Sequence, residues 1–248
     1  MDFPLLVFVI SLAGMWLCTR IGTSLRGRHR PEEAEREDFA VIQGAALTLL
    51  GLIIGFSFSM AVGRYDQRKN FEEEEANAIG TEYLRVGLLP QADATKVRGL
   101  LKRYVEQRFL FYSLRGGRQL DEVNAVTARL QDELWMAVQT PVAAQPSPLG
   151  AVVVTGMNDV LNTQGYTQAA WWNRIPVAAW VLMIFIACFC NVLIGLGSKQ
   201  ATSRLRWVLV LPTMVAISFF LIADLDSPRR GVIHVVPRNL MALAETMK

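Results

Sequence analysis

The sequence predicts an all-α integral membrane protein with four transmembrane helices and a helical domain between the second and third spans. Three observations carry this. Phe39–Gly63, FAVIQGAALTLLGLIIGFSFSMAVG, has no Asp, Glu, Lys or Arg, and about 20 apolar residues in a helix cross a hydrocarbon core. Three further apolar runs stand at Phe3–Cys18, Ile175–Leu196 and Trp207–Ala223. Apolar residues make up 52% of the 248-residue chain and its mean hydropathy is +0.28, a membrane-protein composition. The expected organisation is 1–63 for the first two spans and their loop, 64–174 for a helical extramembrane domain, and 175–248 for the last two spans and the tail.

Phe3–Cys18 reads as a span more than as a signal peptide. No Lys or Arg precedes it and no small-x-small cleavage site follows. The second span ends in GRYDQRKNFEEEEANAIGTEYLR, a charged run with no turn signal. Its helix is expected to continue to about residue 89, where Pro90 stops it; isolated Gly80 and Gly87 are tolerable interruptions. Within the span, Gly51, Gly55, Ser59 and Gly63 recur every four residues, a stripe suited to close helix approach. Leu52, Phe56 and Met60 form a second stripe, able to make an apolar constriction if the helix lines a pore.

The middle segment carries 13 basic and 13 acidic residues and is neutral. Residues 94–115 place Val97, Leu101, Tyr104, Arg108 and Phe111 on one helical stripe, with Asp93 as a cap and Gly116-Gly117 as the stop. Residues 120–139 repeat the pattern up to Pro141. PVAAQPSPLG at 141–150 reads as a connector, and a further helix runs from about Leu149 toward Trp171. No alternating strand pattern appears. One-faced apolar helices of this kind pack together, on an oligomer neighbour or on a membrane surface.

Basic residues do not settle sidedness. Eight stand on one side (Arg20, Arg26, Arg28, Arg30, Arg36, Lys199, Arg204 and Arg206) and seven on the other (Arg64, Arg68, Lys69, Arg174, Arg229, Arg230 and Arg238). Trp16, Trp171, Trp172 and Trp207 sit at span ends as an interfacial belt. Cys18, Cys188 and Cys190 fit neither a disulfide nor a thiolate metal site and read as ordinary buried cysteines. The only histidines, His29 and His234, have no nucleophile or ligand cluster near them in sequence, so neither an enzyme, a metal nor a cofactor is expected. A net charge of +3 points to no nucleic-acid partner.

Glu72–Glu75 reads either as a solvated helix face, with pairs such as Arg68–Glu72 and Lys69–Glu73, or as a cation-attracting ring at a pore mouth, with Arg64, Glu72 and Glu75 as mouth charges. Asp224 and Asp226, after the fourth span, read as a polar stop, a local partner of Arg229 or Arg230, or an anchor for a cation.

The run GFSFSMAVGRYDQRKNFEEEEANAIGTEYLRVGLLP resembles the bacterial bestrophin-like membrane family, through Arg64-Tyr65, Glu75–Thr81, Tyr83–Arg85 and Leu88–Pro90. DLDSPRRGVI, Asp224–Ile233, and GMNDVLN at 156–162 are similar to two further motifs of that family. The motif residues are thus Arg64, Tyr65, Glu75, Asn77, Gly80, Tyr83, Arg85, Asp224 and Asp226. The resemblance implies a bacterial inner-membrane protein, distantly related to the bestrophins, which are homopentameric ion channels with an apolar neck in the second span. It therefore implies that residues 44–63 line a path for inorganic ions and that the middle domain is cytoplasmic. The acidic run after the pore span departs from the pattern and puts anion selectivity in doubt, and loop 19–38 does not map onto it. The alternative from a different class is a non-conducting membrane scaffold or signalling protein that binds partners through the helical domain.

Overall fold

The computed structural model describes residues 3–28, 33–197 and 205–247, and among these there is helix but no strand. Eight helices follow one another: α1 (Pro4–Arg28), α2 (Glu33–Arg85), α3 (Gln91–Ser113), α4 (Arg118–Ala144), α5 (Pro148–Trp172), α6 (Val177–Gly197), α7 (Leu205–Asp226) and α8 (Arg238–Thr246). What the sequence leads one to expect of the side chains of Arg28, His29, Arg30, Arg36, Lys199, Arg204, Arg206 and Trp207 lies outside the described residues. Among the described residues, four helices are long and apolar enough to cross a membrane.

The chain divides into two units: Met1–Arg64 with Arg174–Ile233, and Tyr65–Asn173 with His234–Lys248. The tail from His234, grouped with the last spans on sequence, thus folds with the middle segment, because α8 sets Leu240 into that segment's core.

In the first unit α1 packs on α6 through bare backbone. A Cβ at Gly22 would strike the carbonyl oxygen of Val192, and one at Gly195 would strike the carbonyl oxygen of Thr19 and lie 2.9 Å from Gly22 Cα. Small residues let membrane helices approach in this way. The stripe that the sequence singles out differs: a Cβ at Gly51, Gly55 or Gly63 would meet nothing within 4 Å. Beside the Gly22–Gly195 crossing, the Thr19 hydroxyl donates to the Met15 carbonyl at 3.0 Å and lies 3.4 Å from Asn191 Oδ1, and the Asn191 amide donates to the Ala187 carbonyl at 2.7 Å. Both polar side chains are thereby satisfied where water is absent.

In the second unit α3, α4, α5 and α8 enclose a core with Ile79, Val97, Leu101, Leu134 and Met157. The 3₁₀ turn Val86–Leu88 follows α2, and Pro90 occupies the N-cap of α3. Asp93 lies inside the first turn of α3 and caps nothing, since the cap position is already filled by Pro90, which has no side-chain acceptor. Gly116 and Gly117, with φ of +118° and +84°, make the turn into α4. Pro141 does not end α4. It sits in the last turn, where only one ladder bond is lost, and the break comes at Gln145–Ser147. Ser147 then caps α5, accepting from the Gly150 N–H at 3.0 Å, with Pro148 in the first turn.

Candidate functional site

In the first unit the apolar half of α2 buries one narrow stripe, Leu50, Ser57 and Ala61. At 100° per residue, Leu52, Phe56 and Met60 centre about 120° around the helix from that stripe, and Gly51, Gly55, Ser59 and Gly63 about 160° from it the other way. Leu52, Phe56 and Met60 are 54%, 63% and 49% exposed. Only 6% of the most apolar window of α2 is buried by its own chain, against 50% for α7. A helix this apolar needs cover on its free faces, from lipid or from other subunits.

At the end of that segment Arg64 is held by a carboxylate at the end of α7. Asp226 accepts from Arg64 Nη1 at 3.2 Å and, through both oxygens, from the Ile175 N–H at 3.0 and 3.2 Å. Asp224 accepts from the N–H groups of Val232 and Ile233 at 2.7 and 2.8 Å, closing the chain after α7 into a loop. Gly231 is needed there because a Cβ would lie 2.5 Å from the Asp224 carbonyl oxygen. Both aspartates are buried: Asp224 holds backbone N–H groups, and Asp226 holds Arg64 together with the Ile175 N–H.

In the second unit the charged half of α2 turns three carboxylates inward. Glu72 accepts from Asn239 Nδ2 at 2.7 Å and from the Leu240 N–H at 2.9 Å, anchoring the N-terminus of α8. Glu75 accepts from Arg108 Nε, from Arg108 Nη2 at 3.3 Å, from the Tyr112 hydroxyl at 3.3 Å and from the Thr167 hydroxyl at 3.2 Å, joining α3 and α5 to α2. The Arg108 guanidinium also lies 4.3 Å from the Phe111 ring centre, and Phe111, Tyr112 and Trp171 pack edge to face. Burial opposes the Arg108 charge, but Glu75, with Tyr104 and Tyr112, more than offsets it and raises the guanidinium above its ordinary value. Burial, then the Glu75 charge, pushes the Tyr112 phenol up.

Glu72 and Glu75, read on sequence as charges at a pore mouth, are both buried within the chain. Each is fully engaged inside the helical domain, and the solvent-facing members of the run are Glu73 and Glu74. Trp171, expected in an interfacial belt, is likewise core, while Trp172 is 74% exposed.

Glu82 was missed on sequence. It is buried, neither carboxylate oxygen has a hydrogen-bond partner, and burial pushes it up to about 8, with Arg85 lowering it and Asp159 raising it. Gly156 on α5 makes room for it, since a Cβ there would strike Glu82 Oε2 and come 2.6 Å from Arg85 Nη1. Arg85 in turn reaches Asp159 at 4.0 Å. The remaining motif residues take varied positions. Tyr65 packs on the core, Gly80 admits Leu243 within 3.1 Å of a Cβ, Tyr83 carries Arg98 at 5.4 Å over its ring, and Asn77 is exposed.

A family model described as the bestrophin-like domain matches residues 5–240. No curated protein matches the sequence. Among solved structures, a bacterial bestrophin homologue from Klebsiella pneumoniae is similar, with a TM-score of 0.64 at 12% identity, over 98% of this chain and 95% of that one. A tryptophan-to-alanine variant of the Klebsiella pneumoniae homologue gives a TM-score of 0.66 at 11% identity, over 97% and 93%. At such identities the likeness is one of fold. The family model spans 5–240, a range that includes every motif residue, and on that match the chain belongs to the bestrophin-like domain family.

Proposed function

We propose that this chain forms a bestrophin-like homo-oligomeric channel for inorganic ions, with the apolar half of α2 lining the path and Leu52, Phe56 and Met60 at its neck. One observation carries the reading: α2 is a highly apolar membrane helix that its own chain leaves almost wholly uncovered. A ring of α2 helices gives these faces neighbours, with the stripe Gly51, Gly55, Ser59 and Gly63 set against the adjoining subunit and the bulkier stripe toward an axis. Family kinship supports a pentamer in a bacterial inner membrane with the helical domain cytoplasmic, and a role in transport rather than enzyme chemistry. With Glu72 and Glu75 engaged inside the domain, Glu73 and Glu74 are the acids left to shape the field along the path.

The test is ion flux in liposomes of one lipid composition. An apolar ring holds a short stretch of pore dry, so Phe56→Ala should raise flux while the oligomer stays intact. Background flux from wild type and Phe56→Ala alike, with intact oligomers, overturns the channel and leaves the scaffold reading.

A further inference from the structure

We infer that the membrane unit carries a binding site for one anionic phospholipid from the surrounding bilayer, with two acyl-chain grooves flanking the start of α1 and Arg230 as the phosphate contact. A groove of about 390 Å³ lies between α1, α6 and α7, walled by Ile10 and Gly14 on one side and Trp180 and Phe219 on the other. A second, of about 570 Å³, lies between α1 and α7 and is bounded by the loop that carries Arg230. Phe3 and Leu6 belong to both. Two apolar grooves meeting beside one cation match a lipid with two chains and one charged headgroup.

The dimensions fit one leaflet. From Phe3 to Gly14 the helical rise gives ~17 Å, close to half of a hydrocarbon core about 30 Å thick. Arg230 follows the end of α7 by four residues, which sets it at the headgroup level rather than in the hydrocarbon. Its guanidinium rests 4.6 Å from the Phe3 ring centre, and among the described residues no carboxylate pairs with it. Asp224 also borders the second groove, but both its oxygens are taken by the N–H groups of Val232 and Ile233. In the first groove the Ser11 hydroxyl is spent on the Phe8 carbonyl at 3.1 Å, which leaves its walls apolar. Charge complementarity therefore selects an anionic headgroup over a zwitterionic one.

The test is native mass spectrometry of the full chain extracted from vesicles holding equal amounts of phosphatidylglycerol and phosphatidylcholine with identical acyl chains. Wild type should retain phosphatidylglycerol about fivefold over phosphatidylcholine, the scale of one cation near a phosphate, and raised salt should lower that ratio. Arg230→Gln should bring the ratio near unity and Arg230→Lys should keep it. Gly14→Leu adds bulk into open space, so it should cut total retained lipid severalfold with melting unchanged. Equal retention of the two lipids by wild type overturns the site without need of any variant, as does a ratio indifferent to salt or to Arg230→Gln. No retained lipid, with an oligomer that Gly14→Leu dissociates, assigns this face to a second copy of the chain and also overturns it.

Discussion

The two halves of α2 invert what their compositions lead one to expect. The apolar half, Phe39–Gly63, is left bare by its own chain, whereas the charged half, Tyr65–Arg85, has Arg68, Glu72, Glu75 and Glu82 buried. Hydropathy ranks residues by their cost of transfer from water. It does not say whether a neighbour from the same chain supplies the cover. Where the medium is lipid, an apolar face needs no intrachain partner. Where it is water, a buried carboxylate needs donors built around it, as Glu72 and Glu75 have, and Glu82, without them, is pushed by burial toward its neutral form.

The contrast breaks most visibly at Arg108. Arg108→Ala leaves Glu75 a buried charge with only two hydroxyl donors, and removing one partner of a buried pair costs about 3–5 kcal/mol. Thermal melting in detergent should show the helical domain unfolding many degrees earlier; a loss below ~1 kcal/mol would show that the Arg108–Glu75 pair does not hold α3 to α2. Glu82 gives the next effect, with the opposite sign. Its folded-state value is raised from 4.5 to about 8, so between these limits the folded chain holds a proton that the unfolded chain has released. Stability contributed by this group is full below about pH 4.5 and falls as pH rises to about 8. Glu82→Gln should remove that slope and stabilise the protein at pH 8 by on the order of 3 kcal/mol, read from melting curves across the window. A variant as pH-dependent as wild type would exclude Glu82 as the source.

Gly156→Ala sharpens the same comparison from the α5 side. The added methyl meets Glu82 and Arg85, and overpacking of this kind costs about 1–3 kcal/mol; unchanged melting would show that the Arg85 side chain gives way freely. The smallest effect belongs to the apolar half. A buried Phe→Ala substitution costs about 3–5 kcal/mol, but Phe56→Ala should cost the subunit under ~1 kcal/mol, because the ring is 63% exposed within the chain. A large loss of melting temperature at unchanged oligomeric state would place Phe56 in a subunit core instead.

Much of this was legible in the sequence, and the exceptions have physical causes. The four spans and the helical middle segment follow from apolar runs and stripes, which report local periodicity. The buried acids do not, because a run of four glutamates looks solvated at any short range. Their partners lie far along the chain: Arg108 is 33 residues from Glu75 and Thr167 is 92. One signal was present, since Arg108 sits on the stripe of Val97, Leu101, Tyr104 and Phe111, and a cation on a core face needs an acid opposite. The glycines mislead for a similar reason. A regular four-residue repeat draws the eye to Gly51–Gly63, while the close backbone contact is made by Gly22 and Gly195, each lacking a glycine repeat around it. Helix α8 is nine residues long and too short for its period to stand out.

The contact between Gly22 and Gly195 sets an order of events during synthesis. Its two sides are 173 residues apart in the chain (195 − 22), which a ribosome takes roughly 9–35 s to make. For that interval α1 waits in the bilayer with Thr19 facing no Asn191, while α3, α4 and α5 are already able to close around Arg108 and Glu75. The contact between α1 and α6 is thus made late, and Glu72 receives α8 later still, since α8 follows α6 in the chain.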